Sequence, residues 1–178
     1  MKKIVLIGLL GFVLTACLKP EVKWDIADMS VYGTDSKNYY KMTLAESADF
    51  LDSGTGILLY GFSTCPWCVD LLPVLTEVIE EEKVMVYYID VRPEGTDIRN
   101  HDEPGYSKII EKSKDFLSLD DEGNPRLYVP QLFAVKNGKI IAGHADTVEG
   151  HDASQREMTP EEILQLKSII RELLATIK

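Results

Sequence analysis

The sequence predicts an α/β domain built on a central mixed sheet with helices on both faces. An apolar run at residues 57–62 is followed by a helical pattern and by a second apolar run at residues 84–91. A strand, a helix and a strand of these lengths form a βαβ unit, whose two strands are parallel. The sequence Lys-Asn-Gly-Lys at positions 136–139 predicts a tight hairpin, which adds two antiparallel strands at residues 131–135 and 139–143.

Four helices are predicted around these strands. Thr43 and Glu46 match a capping box at the start of the first helix. Thr159 is an N-cap followed by proline and glutamates, which marks the start of the last helix. Apolar side chains recur at helical spacing in the first, second and last helices, and Pro104 lies near the first turn of the third. The four predicted ranges are 43–53, 65–82, 104–117 and 159–177.

The N-terminus carries the pattern of a secretory signal. Lys2 and Lys3 precede an apolar run at residues 4–13, which is too short for a membrane-spanning helix of ~20 residues. Such a run fits the apolar region of a signal peptide. The sequence Leu-Thr-Ala-Cys at positions 14–17 resembles a bacterial lipobox, which implies that Cys17 becomes the first mature residue and carries lipid. An ordinary signal peptide with a chance cysteine is the alternative.

These patterns divide the chain into three parts. We predict a signal peptide at residues 1–16, a lipidated N-terminus and tether at residues 17–30, and one domain at residues 31–178. Without the two lysines of the signal peptide, 17 basic and 29 acidic residues remain, a net charge of −12. A surface of this charge repels nucleic acid and anionic lipid head groups. No nucleic-acid partner is therefore expected, and membrane attachment is expected to come from the lipid on Cys17.

The pair Cys65 and Cys68, in the sequence Cys-Pro-Trp-Cys, is the candidate catalytic site. If Cys17 is lipidated, these are the two remaining cysteines, and they lie outside the cytoplasm, where disulfides persist. A bridge between them would close so short a loop that it would stabilise the fold little, which favours disulfide exchange. The start of a helix stabilises a thiolate. We therefore expect Cys65 to attack substrate and Cys68 to resolve the mixed disulfide.

The order of these features resembles that of the thioredoxin-fold family over residues 42–178. The shared features are a buried strand, a Cys-x-x-Cys helix with Pro73 inside it, a parallel strand, Val129-Pro130, the hairpin and a C-terminal helix. The resemblance implies a thioredoxin fold with a cis bond between Val129 and Pro130, packed beside the cysteines. Val129 and Pro130 are then expected to bind substrate, and Trp67 is a further candidate for substrate contact.

Two sequence features differ from thioredoxins proper. Leu59 occupies the position, six residues before the first cysteine, where thioredoxins carry a buried aspartate. An insert at about residues 92–128 precedes the expected cis-proline strand. Thioredoxin's proton relay therefore cannot be transferred to this chain, and Glu77 and Asp70, expected to face solvent, are weak candidates for a substitute base.

Together with the lipobox, the chain resembles membrane-anchored thioredoxin-like lipoproteins of bacteria, some of which are grouped as bacteriocin transport accessory proteins. The predicted function is that of a lipid-anchored, extracytoplasmic thiol–disulfide oxidoreductase without a cofactor. It would act on protein thiols and disulfides with an unidentified membrane or extracytoplasmic redox partner. The alternative is a non-catalytic thioredoxin-fold accessory or binding lipoprotein, for example in bacteriocin export or metal handling.

A metal site is not predicted from the histidines. His144, Asp146, His151 and Asp152 fall in one polar loop, but their spacing matches no defined ligand pattern. One Cys-x-x-Cys supplies two ligands, whereas a closed zinc site needs four. We expect the loop to be solvated.

Overall fold

The computed structural model describes residues 23–93 and 103–178, in which a five-stranded mixed sheet lies between two layers of helices. The four helices are α1 (Leu44–Ser53), α2 (Pro66–Glu82), α3 (Tyr106–Ser113) and α4 (Pro160–Ala175). The sheet contains β1 (Tyr39–Lys41), β2 (Gly56–Gly61), β3 (Val86–Asp90), β6 (Gln131–Lys136) and β7 (Lys139–Ala145). A separate two-stranded ribbon consists of β4 (Ser118–Leu119) and β5 (Pro125–Arg126).

The strand order of the sheet is β1-β3-β2-β6-β7. Strands β1 and β2 both run parallel to β3, whereas β6 pairs antiparallel with β2 and with β7. This order, with these directions and with helices on both faces, confirms the predicted thioredoxin fold. Strand β1 was not predicted, and it forms the edge of the sheet beside β3.

The central strand β2 shows why the helices cover both faces. Its side chains from Ile57 to Tyr60 are fully buried, as expected for a strand with no solvent-facing side.

Ion pairs link the helices within each layer. In the α1–α3 layer they join Lys108 and Lys112 to Asp49 and Asp52, and in the α2–α4 layer they join Lys167 to Glu77, Arg171 to Glu81 and Lys178 to Glu82.

The insert contains more structure than the sequence predicted. The helix expected at residues 104–117 begins at Tyr106, after Gly105 with φ +90°, and passes into a 3₁₀ turn at Lys114–Phe116. The ribbon of β4 and β5 follows it. Residues 94–102 of the predicted insert lie outside the described residues.

The segment before β1 packs against the domain. The predicted signal peptide, Cys17 and the first part of the predicted tether lie outside the described residues. Ala27 and Met29, which belong to the predicted tether, are buried. The Ala27 N–H donates a hydrogen bond to the carbonyl of Tyr39 over 2.9 Å. A 3₁₀ turn at Ser30–Tyr32 then places the Tyr32 side chain in the core. Within the described ranges, no helix is long and apolar enough to cross a membrane.

Candidate active site

The two cysteines lie at the junction between β2 and α2. Cys65 is the N-cap of α2, with extended backbone angles, and Pro66 occupies the first turn. The Cys65 sulfur accepts a hydrogen bond from the Cys68 N–H over 3.4 Å. A helix N-terminus presents unpaired N–H groups and partial positive charge, so this position favours a negatively charged sulfur.

The cis-proline loop lies directly beside the Cys65 sulfur. The bond between Val129 and Pro130 is cis, as the resemblance implied. The Cys65 thiol donates to the carbonyl oxygen of Val129 over 3.4 Å. The structure therefore brings together four of the predicted site residues: Cys65, Cys68, Val129 and Pro130. Trp67 is half-buried and packs against the core from the first turn of α2.

The two thiols have opposite electrostatic environments. A hydrogen bond from the Cys68 side chain, opposed by burial and aided by the N–H groups of Cys68 and Trp67, lowers the pKa of Cys65 to about 7. The same side-chain bond, together with burial, raises the pKa of Cys68. At neutral pH about half of Cys65 would then be a thiolate, whereas Cys68 stays a thiol.

Asp146, at the end of β7, is a charged neighbour of the site that the sequence argument considered only as part of a possible metal loop. Its N–H donates to the carbonyl of Pro130 over 3.1 Å, and its φ is +60°. Its carboxylate charge opposes ionisation of Cys65 and Cys68, because it raises both pKa values. Burial raises the pKa of Asp146 itself. The Asn-Gly turn alone could not have indicated its position, because the β6–β7 register shifts between Ala134 and Val135 before Ala145 pairs with Gln131, next to Pro130.

Neither weak base candidate is free to serve Cys68. The Asp70 carboxylate bonds the ring of His151, which is fully buried, over 2.7 Å. Glu77 pairs with Lys167 of α4. Both carboxylates therefore hold α2 to other elements. Glu77 faces solvent as predicted, whereas Asp70 is partly buried.

The polar loop after β7 is partly buried, at Thr147 and His151 among others, so the expectation of a solvated loop was wrong. Hydrogen bonds within the loop and to α2 hold it in place. His144 bonds the carbonyl of Thr147 over 2.8 Å, His151 bonds Asp70, and Asp152 accepts from Ser154. Of the four residues, His144 lies within β7, and Asp146 acts on the charge of both cysteines. In the part of the chain that the structure describes, no three His, Cys, Asp or Glu side chains form a group that could hold a metal ion.

A pair of tyrosines lies beneath Cys68 and was missed by sequence reasoning. The hydroxyl oxygens of Tyr32 and Tyr88 are 3.0 Å apart and buried. A β-carbon added at Gly61 would lie 3.2 Å from the Cys68 sulfur and 3.8 Å from the Tyr32 hydroxyl. The two tyrosines are 56 positions apart in the sequence, which explains why no local pattern indicated the pair.

With this geometry established, the chain can be compared with known proteins. No family model matches it, and no curated protein matches it. It is similar in fold to thioredoxin O2 from Arabidopsis thaliana in the oxidized state, with 22% identity, a TM-score of 0.42, and coverage of 76% of this chain and 94% of that one. A thio-disulfide isomerase from Thermus thermophilus gives 21% identity, a TM-score of 0.31, and coverage of 66% and 80%. The fold assignment rests on the strand order and directions of this chain itself.

Proposed function

We propose that this protein is a thiol–disulfide oxidoreductase that uses Cys65 and Cys68 as its redox-active pair. The observation that carries the proposal is the position of the Cys65 sulfur. It accepts an N–H bond at the start of α2 and lies 3.4 Å from the Val129 carbonyl, beside Pro130. This position combines a stabilised thiolate with a neighbouring extended backbone, which are the two features that disulfide exchange with a peptide needs.

The first step is attack on a substrate disulfide. The Cys65 thiolate bonds to one substrate sulfur, the substrate S–S bond breaks, and the departing substrate thiolate takes a proton from solvent. The product is a mixed disulfide between Cys65 and the substrate. The hydrogen bond from the Cys68 N–H supports this step because it stabilises the attacking thiolate.

The second step releases the substrate. Cys68 loses its proton and attacks the Cys65 sulfur, so that a Cys65–Cys68 disulfide forms and the bond from Cys65 to the substrate breaks. The second substrate sulfur leaves as a thiolate and is protonated. Two electrons have then passed from the dithiol to the substrate, and the reverse sequence would oxidise a substrate dithiol.

Side chains around Cys65 offer a surface for a peptide. Trp67 is half-buried on one side of the sulfur, and Tyr128 is 38% exposed next to Val129. Aromatic side chains provide large contact areas for an unfolded segment without requiring one sequence. We propose that an extended stretch of a protein substrate binds between Trp67 and the cis-proline loop.

The site of action belongs to the proposal. The signal-peptide pattern and the lipobox ending at Cys17 support an extracytoplasmic protein held at the bacterial membrane by lipid. There it would exchange electrons with a membrane or extracytoplasmic redox partner. An oxidising compartment suits a cysteine pair whose chemistry is disulfide exchange.

Catalysed reduction of insulin by dithiothreitol tests the proposal. All proteins carry Cys17→Ser, so that only the pair at the site contributes thiols. We expect turnover with the parent and none with Cys65→Ser. When reduced Cys68→Ser is mixed with insulin after dithiothreitol has been removed, we expect a trapped mixed disulfide that mass spectrometry detects on Cys65. A folded parent protein with no turnover and no reactive dithiol would instead support the non-catalytic accessory role.

A further inference from the structure

The resolving step poses a specific problem at Cys68. This side chain is fully buried and must become a thiolate to attack Cys65. Leu59 is also fully buried and offers no polar atom. The charged groups that act on Cys68 are Cys65 and Asp146, and both oppose its ionisation. Apart from the backbone amide of Phe62, which favours the thiolate, the site needs another group that stabilises a negative sulfur.

The Tyr32–Tyr88 pair has an unused hydrogen-bond donor. The two hydroxyls carry two hydrogens but share one hydrogen bond. Among the described residues, neither hydroxyl has a second hydrogen-bond partner. Both tyrosines are 7% exposed, and their rings meet edge to face with centroids 6.0 Å apart. Packing therefore holds one O–H group that can donate to a further acceptor.

The Cys68 sulfur is an acceptor near the Tyr32 hydroxyl. The position of a β-carbon at Gly61 lies 3.2 Å from that sulfur and 3.8 Å from the Tyr32 hydroxyl oxygen. The sum of these distances, about 7 Å, is an upper limit for the separation of the sulfur and the hydroxyl oxygen. The two atoms are therefore close enough for a bond through one water, or for a direct bond once the sulfur moves in the resolving step. Gly61 leaves the space between them free of a side chain.

The sheet register places the second tyrosine on the same side. Tyr88 pairs with Leu59, and side chains two residues apart on a strand share a face, so Tyr88 lies on the face that Gly61 turns toward Cys68. Tyr88, on the sheet, is thus in position to hydrogen-bond the Tyr32 hydroxyl. The Cys68 sulfur lies opposite on α2. Burial raises the pKa of Tyr32, so its hydroxyl acts as a donor and not as a base.

We propose that the Tyr32 hydroxyl, held by Tyr88, donates a hydrogen bond to the Cys68 sulfur as this becomes a thiolate in the resolving step. A donor to the charged form stabilises that form. The proton of Cys68 passes to solvent, and the released substrate thiolate takes one up, so the step balances. This role rests on the proposed function, and it assigns the segment before β1 a part in catalysis.

The test follows both steps with the chromogenic disulfide 5,5′-dithiobis(2-nitrobenzoate) in stopped flow. Attack by Cys65 on the probe releases one thionitrobenzoate, and attack by Cys68 on the mixed disulfide releases the second. All proteins carry Cys17→Ser, and the variants are Tyr32→Phe and Tyr88→Phe. Tyr39→Phe is the matched control, because it also removes a buried tyrosine hydroxyl, and that hydroxyl bonds Thr76 on α2.

We expect Tyr32→Phe to slow the second release at least about tenfold, the low end of the range for one hydrogen bond to a charged group. It should also move the pH midpoint of that phase upward and leave the first release within twofold. Tyr88→Phe should have a smaller effect of the same kind, and Tyr39→Phe none. Unchanged second release in Tyr32→Phe, or equal slowing of both phases, would overturn this role. A parent protein without the first release would contradict the proposed function, and this role with it.

Discussion

At the scale of single residues, the Cys65 sulfur is controlled mainly by its partner in the pair. The Cys68 side chain is the largest cause of the lowered pKa of Cys65, ahead of the backbone N–H groups at the start of α2. The helix N-terminus therefore positions the sulfur, while the second cysteine supplies the strongest stabilisation of the thiolate. This division of roles can be tested by substitution at Cys68 alone.

Cys68→Ala should raise the pKa of Cys65 from about 7 toward the ordinary cysteine value of about 8.5. Because a lowered pKa extends the thiolate to lower pH, the midpoint of alkylation by iodoacetamide should move upward in this variant. Cys68→Ser keeps a hydroxyl donor and should lie between the two. Peptide mass spectrometry measures alkylation of Cys65, with Cys17→Ser in every protein. Identical midpoints in the parent and in Cys68→Ala would refute the role of the Cys68 side chain.

Asp146 should have the opposite influence. Its carboxylate disfavours the Cys65 thiolate, so Asp146→Asn should lower the alkylation midpoint of Cys65, by less than about one pH unit for a group near solvent. Asparagine tolerates the positive φ at this position, which keeps the loop unchanged. Asp121→Asn, in an exposed turn, is the charge-matched control. A rise in the midpoint would show that Asp146 acts on Cys65 in some other way.

At the scale of elements, the β6–β7 hairpin is locked against the end of α1. Its turn residues Asn137 and Gly138 both have positive φ, as the Asn-Gly sequence predicted. The Gly138 N–H donates to the Gly54 carbonyl over 2.8 Å, and the Asn137 N–H donates to the Thr55 hydroxyl over 2.9 Å. The turn thus fixes the strand that leads back to the cis-proline loop.

Gly138→Ala should destabilise the protein by about 2–4 kcal/mol, from the left-handed backbone cost and from overpacking. A β-carbon there would lie 2.3 Å from backbone atoms of Asp52. Gly123→Ala is the matched control, since Gly123 has a similar φ with no atom within 4 Å, and it should cost about 1 kcal/mol. Urea unfolding gives both free energies. Equal losses would mean that the contact with α1 does not constrain the turn.

The elements differ in how far the sequence could predict them. Strand β2, helix α2 and the hairpin have local patterns, so their types and pairing directions were predicted. Strand β1 has only three residues, Tyr39–Lys41, and it is a strand because β3 pairs with it. Tyr32 and Asp146 reach the site through a packed 3₁₀ turn and through hairpin register. Such positions depend on long-range pairing, which single-sequence patterns do not contain.

At the scale of the whole molecule, the lipid anchor remains a prediction from residues 14–17. Cys17→Ala should prevent lipid attachment, so that the protein no longer incorporates labelled fatty acid and no longer sediments with membranes. Mass spectrometry of the mature N-terminus provides an independent measurement, because lipid processing leaves Cys17 as the first residue. An unmodified N-terminus at another position would contradict the lipobox assignment.

The redox balance of the molecule follows from the difference between the two thiols. Stabilising the Cys65 thiolate stabilises the reduced protein, which makes the disulfide a stronger oxidant. The raised pKa of Cys68 keeps that thiol protonated, which slows the resolving step. It does not add to the stability of the Cys65 thiolate. We therefore expect a reduction potential above thioredoxin's value of about −270 mV.

Equilibration of the purified Cys17→Ser protein against a series of glutathione buffers tests the central claim most directly. Remaining thiols are trapped with a maleimide, and mass spectrometry counts the labels on Cys65 and Cys68 separately. We predict that both labels are lost together in one two-electron transition with a potential above about −270 mV. Independent loss of the two labels, no transition, or a potential below that of thioredoxin would contradict it.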